Sequence, residues 1–347
     1  KFLHRPSEIS HKGLIVGTTS ILGAPKGSPQ KCFASLARSI DGRYNDLPET
    51  ALPSPCTAEP SSDHIQTGIG LPYGDAVDNL LGNFDTCKTW AYIVHVGEGV
   101  PGSAAYGEWE DMQQLGLDVH QSAVVHGTCF GADDFQHMAE QGMKLVWSPK
   151  SNIFLYEQTT RIDLAIETNP ELTIALAPDW SLGGSVNILD ELNYANQLDL
   201  DEWGGLLSPQ ELVDMVTVNA AEVLEVQQFL GSLEPGKLAD LFVVSGDQGY
   251  PYEALVEGRP GDVRLVMVDG VVLYGDAHLE AAAAPAGCEA LEICGHDRFL
   301  CPAEDSSEDK LDQSFDEITT ILEGALADYD DANGTSFSPL APLVRCD

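Results

Sequence analysis

The chain has 347 residues and a formal net charge of -38, with 17 basic against 55 acidic residues. A chain this acidic is repelled by nucleic acid and by anionic membrane surfaces, so we expect neither as a partner. Hydrophobic residues make up 43% of the sequence, which is enough for a folded core. No apolar run approaches the roughly 20 residues that span a bilayer. A small-molecule substrate and a homo-oligomer remain open as partners.

The eight cysteines include a group near the C-terminus, Cys288, Cys294 and Cys301, with His296 among them. A zinc site is conceivable there, but no C-x-x-C knuckle accompanies it. One disulfide in an exported protein, or plain thiols, is the favoured interpretation. The acidic composition and the even cysteine count lean slightly toward an exported rather than a cytoplasmic protein.

The first part of the chain is irregular in pattern. A strand is predicted over Leu14–Ile21, and a helix over Asp75–Phe84. Between them, Asp41–Ile69 is interrupted by several prolines and is rich in Ser, Thr and Asp, so it is predicted to be mostly loop. A loop of this length in a compact domain is expected to cover a site.

From Trp90 onward, apolar runs and helical patterns alternate. The predicted strands are Trp90–Val94, Ala123–Val125, Lys144–Trp147 and Thr173–Ala177. The predicted helices lie near Gly107–Leu115, Ala132–Gln141, Arg161–Glu167, Val186–Gln197 and Ser208–Val218. Strands spaced by roughly 20–30 residues, with helices between them, favour an α/β fold of the (β/α)8 barrel type over a sandwich.

The pattern changes after Leu230. A short strand over Ala239–Val244 and a hairpin over Val263–Leu273, turning at Asp269-Gly270, predict a small β-sandwich module. The acidic stretch Glu304–Asp331 has apolar residues at helical spacing and predicts one amphipathic helix. The expected domains are therefore a barrel over 1–230, a β-module over 231–280 and an acidic, cysteine-containing extension over 281–347.

Three residues of metal-binding type follow apolar strands: His95, His126 and Asp179. The carboxyl ends of parallel strands meet at one rim of a barrel, so these side chains are expected to converge. Imidazole nitrogens and a carboxylate oxygen are suitable ligands for zinc or iron. Glu98 follows His95 by three residues and is placed to act as a proton carrier in the same pocket.

Each of these residues also has a purely structural interpretation. A single histidine at a strand end is more often a hydrogen-bonded core residue, Asp179 could cap the next helix, and Glu98 alone could be a surface residue. Cys129 is a further candidate nucleophile, although a buried thiol is the more common state. No G-x-S-x-G elbow, phosphate loop or G-x-G-x-x-G turn is present.

Several motifs resemble those of the amidohydrolase superfamily, in particular its branch of cytosine-deaminase-like and chlorohydrolase-like enzymes. The matching segments are H-V-G-E at His95–Glu98, V-V-H-G at Val124–Gly127, W-S-P-K-S-N at Trp147–Asn152, A-P-D-W-S at Ala177–Ser181, M-V-T-V-N-A-A-E-V-L at Met215–Leu224 and G-S-L-E-P-G-K-L-A-D-L at Gly231–Leu241. The last of these patterns is quite specific. The resemblance extends from about Gly13 to Asp276.

The resemblance implies a hydrolase that acts on C–N bonds by attack of metal-activated water on an sp² carbon. His95, His126 and Asp179 resemble the ligands of one divalent metal ion, with zinc expected and iron or manganese as alternatives. His126 and Asp179 would also polarise the substrate and accept the proton of water, while Glu98 would protonate the substrate nitrogen. The expected pocket-lining residues are Trp147, Ser148, Lys150, Asn152 and Trp180.

The family takes two further metal ligands from a His-x-His on the first strand, and no His-x-His occurs in this sequence. Because Leu14–Ile21 resembles the second strand, the chain is expected to begin after the first. An alternative function is therefore a metal-free pseudoenzyme or ligand-binding module.

Overall fold

The computed structural model describes residues 12–22, 37–40, 47, 64–180, 182–283, 288–301 and 314–346. The chain forms two compact units. The first comprises residues 40–237 and 248–257, and the second comprises residues 1–39, 238–247 and 258–347. None of the helices in the described parts of the chain combines the length and apolar character that crossing a membrane requires.

The first unit is built on a parallel sheet of five strands that lie side by side in chain order. The strands are Ile65–Gly68, Ala91–Val96, Ser122–His126, Lys144–Trp147 and Ile174–Leu176. The last four are buried almost throughout, as expected for a parallel sheet covered on both faces. In the register of the sheet Gly68 pairs with Val94, and Val96 pairs with His126.

Helices connect the strands and enclose the core. They are Asp75–Asp85, Tyr106–Gln114, Ala132–Glu140, Pro149–Tyr156, Ile162–Thr168, Ile188–Glu202, Pro209–Met215, Val218–Val223 and Pro251–Val256. Large side chains from helices and strands meet in one cluster, which includes Trp109, Met112, Val124, Phe135, Met138, Leu145, Trp147 and Leu212. Their burial removes apolar surface from water, which is the main favourable contribution to folding.

The strands predicted after Trp90 are confirmed, with ends shifted by a few residues except at Lys144–Trp147. Within the segment 41–69, predicted to be mostly loop, Ile65–Gly68 is a strand. Its sequence, I-Q-T-G, has no run of β-formers, so only its pairing with the next strand identifies it. Most of the rest of that segment lies outside the described residues, so the loop stays a prediction. The N-terminally incomplete barrel predicted from the sequence, with strands two to eight, is seen in part: the described residues form a parallel sheet of five strands that is not closed into a barrel.

The helix predicted over Ser208–Val218 is shorter than expected: it spans Pro209–Met215, and Val218 is the first residue of the next helix, Val218–Val223. Ser208 is the N-cap of the helix Pro209–Met215: its hydroxyl accepts from the backbone N–H of Glu211, and the Glu211 carboxylate accepts from the backbone N–H of Ser208.

The second unit contains an antiparallel sheet of five strands. The strands are Leu241–Val244, Val263–Val268, Val271–Asp276, Glu289–Ile293 and His296–Leu300. Asp269 and Gly270 both have positive φ, which is the geometry of the predicted two-residue hairpin turn. The last two strands lie in the segment expected to be an acidic extension, and they join the sheet through pairing of 274–276 with 298–300.

The strand predicted over Leu14–Ile21 is wrong for most of its length. Residues 12–15 are helical, and only Ser20–Ile21 is a strand. The extended run is broken at Gly17, where φ is +86° and a Cβ atom would lie 2.5 Å from the Phe242 ring. A left-handed residue in contact with a large ring requires glycine and a turn, and a β-branched run does not override that requirement.

Two disulfide bonds cross-link the C-terminal part of the second unit. Residues 304–313 of the predicted amphipathic helix lie outside the described residues, and the described part forms a helix over Phe315–Asn333. Ser314 and Glu317 form its capping box. Cys288 is bonded to Cys301, and Cys294 is bonded to Cys346. Both bonds use cysteines of the group noted in the sequence, so two disulfides replace the zinc site or the single disulfide considered there.

Candidate metal centre

His95 lies near the carboxyl end of the strand Ala91–Val96 and is held by the neighbouring strand. Its Nδ1 is 3.1 Å from the backbone carbonyl oxygen of Gly68. A carbonyl can only accept, so the proton of the neutral ring resides on Nδ1 and the lone pair on Nε2 is left for another partner. A histidine prepared in this way is typical of metal ligands, whose second nitrogen donates to a carbonyl or carboxylate.

His126 is the last residue of the neighbouring strand Ser122–His126 and is fully buried. Its backbone φ is +77°, which is uncommon for a residue other than glycine and is frequent at functional sites. The hydroxyl of Thr160 donates to the His126 carbonyl at 2.6 Å and holds this geometry. The ring atom Nε2 has no hydrogen-bond partner among the described residues.

Asn152, which is also fully buried, contacts the other side of the His126 ring. Its amide nitrogen lies 3.0 Å from Nδ1, and its amide oxygen lies near the Thr159 and Thr160 hydroxyls at 3.3 and 3.5 Å. Rotating the Asn152 carboxamide by half a turn places its oxygen, an acceptor, against Nδ1 and its nitrogen, a donor, against the threonine hydroxyls. A hydroxyl can either donate or accept, so both orientations are compatible with these neighbours. Asn152 can therefore support either neutral tautomer of His126, including the one that leaves the Nε2 lone pair free.

Asp179 completes the cluster from the segment that follows the strand Ile174–Leu176. One ligand atom from each of His95, His126 and Asp179 lies within 4.8 Å of the other two. The residues fit a divalent metal ion, because two imidazoles and a carboxylate are a common donor set and the buried Nε2 of His126 lacks a hydrogen-bond partner within the described parts of the chain. The carboxylate is exposed, so the centre is open to solvent on that side.

Glu98 stands on a loop whose backbone is fixed on both sides. The N–H of Gly97 donates to the Glu108 carboxylate at 3.0 Å, and the N–H of Gly99 donates to the Thr128 hydroxyl at 2.7 Å. Gly97 has φ +68°, and a Cβ atom there would lie 2.5 Å from the Phe130 ring. These contacts fix the backbone from which the Glu98 side chain extends.

The carboxylate of Glu98 lies between two groups. Its Oε2 is 3.7 Å from Nε2 of His126, and its Oε1 accepts a hydrogen bond from the Tyr156 hydroxyl at 3.0 Å. Burial lowers the pKa of His126, and the nearby His95 lowers it further against the opposing charges of Glu98 and Asp179. The neutral ring, which is the form that binds metals, is therefore favoured at neutral pH.

The thiol of Cys129 does not have the properties of a nucleophile. It is buried, and burial raises its pKa to about 11. The thiolate is the reactive form, so a thiol with a pKa this high is inert at neutral pH.

The predicted pocket residues have different environments. Trp147 is fully buried in the core, where its indole N–H donates to Thr159 at 2.8 Å. Ser148 is buried, and its hydroxyl donates to the carbonyl of Ala177 at 2.7 Å. A substrate contact of either side chain stays a prediction.

The other two predicted pocket residues are accessible. The ammonium group of Lys150 lies 2.8 Å from the Asp190 carboxylate. Trp180 is 37% exposed, and its ring packs edge to face against Phe154 with centroids 6.2 Å apart. Trp180 directly follows Asp179, and Phe154, which is 62% exposed, lies two residues after Asn152; together they present an aromatic surface.

Three contributors to the site were not found in the sequence: the Gly68 carbonyl, Thr160 and Tyr156. Neither the carbonyl nor a threonine in a connecting segment carries a recognisable pattern. Tyr156 could have been found, since it lies four residues after Asn152 and therefore on the same face of a helix. Because the sequence does not predict the helix Pro149–Tyr156, the four-residue spacing could not be recognised as a shared helix face.

The fold and the cluster together define an α/β protein with a candidate metal centre at the carboxyl ends of parallel strands. The chain belongs to the amidohydrolase family, whose model matches residues 89–273. This match confirms the resemblance carried by the sequence motifs, and it covers the segments that hold His95, His126 and Asp179.

One curated relative is the 5-methylthioadenosine/S-adenosylhomocysteine deaminase of Caldicellulosiruptor saccharolyticus, 25% identical over 176 residues. The match covers 48% of this chain and 41% of the relative, so the chain spans less than half the length of that protein.

Solved structures share the fold. An adenosine deaminase from Xanthomonas campestris with bound zinc has a TM-score of 0.59 at 19% identity, covering 76% of this chain and 68% of that one. The guanine deaminase of E. coli has a TM-score of 0.50 at 20% identity, covering 57% of this chain and 51% of that one. At these identities the likeness supports the fold alone.

Proposed function

We propose that this protein is a metal-dependent hydrolase that cleaves C–N bonds in small molecules, as a deaminase does. The observation that carries the proposal is the convergence of His95, His126 and Asp179 within 4.8 Å of one another in a chain of the amidohydrolase family. We also propose that the five parallel strands are the fourth to eighth strands of a (β/α)8 barrel.

The roles of the residues follow from their environments. His95 and His126 would bind the ion through nitrogen, and Asp179 would bind it through oxygen, with zinc expected and iron or manganese as alternatives. When bound, the ion supplies a water of pKa about 7 and polarises the substrate. Asp179, whose carboxylate is exposed, accepts the proton of the attacking water. Glu98 delivers a proton to the nitrogen of the substrate, because its free oxygen faces the cluster.

The experiment is an ammonia-release assay with the protein expressed from its complete coding sequence and loaded with zinc. The substrates tested are adenosine, guanine, 5-methylthioadenosine and S-adenosylhomocysteine, which the names of the relatives suggest. We expect ammonia release from at least one of them, at a rate that Glu98→Gln lowers at least about a hundredfold. Failure of the zinc-loaded protein to release ammonia from any of these substrates would contradict deaminase activity on this class.

A second candidate is a ligand-binding protein without catalysis. The observation that favours it is the lack of any His-x-His in the sequence, since the resemblance assigns two metal ligands to that motif. Equilibrium binding separates the two: saturable binding of one of the same compounds, without ammonia release and without a requirement for metal, would support the second candidate.

A further inference from the structure

One short helix contributes side chains that contact both His126 and Glu98. The helix Pro149–Tyr156 carries Asn152 and Tyr156 one turn apart, so the two side chains lie on the same face. Asn152 contacts the His126 ring, and Tyr156 donates to Glu98 across 58 residues of sequence. The helix ends directly after Tyr156, because Glu157 adopts a left-handed conformation with φ +54°.

We propose that Tyr156 is a positioning residue for Glu98. Its hydroxyl holds one carboxylate oxygen, Oε1, so that the other, Oε2, remains directed at His126 and the cluster. The inference rests on the proposed function for its catalytic consequence, whereas the positioning itself is a property of the chain and can be tested without turnover.

The Glu98 side chain can still rotate about its torsions, although the backbone around it is fixed. The backbone on either side is fixed by the hydrogen bonds of Gly97 and Gly99, but the Glu98 side chain is 27% exposed. A partly exposed glutamate has several rotamers of similar energy. Whenever the Glu98 carboxylate is ionised, the bond from Tyr156 is charge-assisted, and such bonds are about twice as strong as bonds between neutral groups. It is therefore sufficient to select one rotamer.

Tyr156 acts through Glu98 and is not itself the proton donor. Burial, the charge of Glu98 and the hydrogen bond to it together raise the pKa of the Tyr156 hydroxyl to about 12. A phenol that remains protonated is a constant donor to the carboxylate across the working pH range. It is poorly suited to general acid–base catalysis near neutral pH.

The test is Tyr156→Phe, which removes the hydroxyl and keeps the ring. Tyr106→Phe is the matched control, because Tyr106 also donates to a carboxylate, that of Asp134, at 2.8 Å. For the zinc-loaded protein we expect Tyr156→Phe to lower kcat about tenfold, with KM and metal content unchanged within about twofold. The control should leave all three values unchanged.

A double-mutant cycle shows whether the effect passes through Glu98. In a Glu98→Gln background with residual activity, Tyr156→Phe should have no further effect on kcat, since the group it positions is gone. A full additional tenfold loss in that background would overturn the proposal and would assign Tyr156 an independent role.

The second readout is the crystal structure of the metal-free protein with and without Tyr156→Phe. We expect the Glu98 carboxylate to leave its position near His126 or to occupy several rotamers in the variant, with the backbone unmoved. A Glu98 side chain that is unchanged in the variant would overturn the proposal. If the wild type releases no ammonia, the proposed function fails, and this structural comparison still decides the positioning role.

Discussion

The buried carboxyl group of Glu191 accepts a hydrogen bond from the backbone N–H of Lys150 at 3.3 Å, close to the start of the helix that carries Asn152. Glu191 is fully buried, and burial raises its pKa to about 7. The Ser185 hydroxyl and the Lys150 N–H act in the opposite direction but do not outweigh the burial. The start of this helix is therefore hydrogen-bonded to a carboxyl group whose ionisation is costly.

Glu191→Gln is expected to stabilise the protein above pH 7 and to have no effect at acidic pH. The folded pKa lies above the unfolded value of about 4.3, so the folded protein retains a proton that the unfolded chain loses. Wild-type stability therefore falls as pH rises between these two values, and the full cost is present above about pH 7. A shift of this size corresponds to a cost on the order of 3 kcal/mol. Urea denaturation of the wild type and Glu191→Gln at several pH values measures this difference in the free energy of unfolding.

Glu167→Gln serves as the control, since it makes the same substitution at an exposed position. If the stability difference between Glu191→Gln and wild type stays constant from pH 4 to pH 8, the pKa of Glu191 is not raised by burial.

Asp179→Asn is expected to abolish turnover and to leave stability within about 0.5 kcal/mol of wild type. The substitution removes a proton acceptor at nearly constant volume, and the side chain is exposed. Ammonia release and thermal unfolding of the metal-free protein provide the two measurements. A large decrease in melting temperature without metal would instead mark Asp179 as a structural residue.

Loss of the disulfide between Cys294 and Cys346 is expected to loosen the second unit. This bond joins residues 52 positions apart, and the chain-entropy model gives it a stabilising contribution of about 4 kcal/mol. The bond between Cys288 and Cys301 joins residues 13 positions apart, and the same model gives it about 3 kcal/mol. Hydrogen exchange of the strands in 289–300 is the suitable probe. All five tryptophans lie in the first unit and do not report on this one.

Cys346→Ser should therefore accelerate exchange in 289–300 more than Cys301→Ser does. The reverse order would show that local geometry, and not the length of the closed loop, decides the contribution of each bond.

Continuous apolar runs made the central strands predictable. Lys144–Trp147 was predicted to the residue, because a strand covered on both faces needs apolar side chains at nearly every position. Ile65–Gly68 was missed, because a strand with only one strongly apolar residue can be recognised only by its pairing with the next strand. Leu14–Ile21 was predicted as a strand, because a contact between Gly17 and Phe242, distant in sequence, is invisible to a local pattern.

The candidate site was predictable where its residues follow strands. His95, His126 and Asp179 were selected on that basis, and the structure brings them together. The groups that orient them were not found, since Gly68 contributes a backbone carbonyl and Tyr156 comes from a helix that propensity did not indicate. Such contacts depend on the register of the sheet and the direction of a helix, which arise only when the chain is folded.

The most direct test of the metal centre is calorimetric titration of zinc into the chelator-treated protein, with His126→Asn beside it. We predict binding of about one equivalent by the wild type and its loss in the variant. His137→Asn, which removes a histidine paired with Asp118 at 2.8 Å and outside the cluster, should bind zinc as the wild type does. Binding of less than about half an equivalent by the wild type, or unchanged binding by His126→Asn, would contradict a metal centre formed by His95, His126 and Asp179.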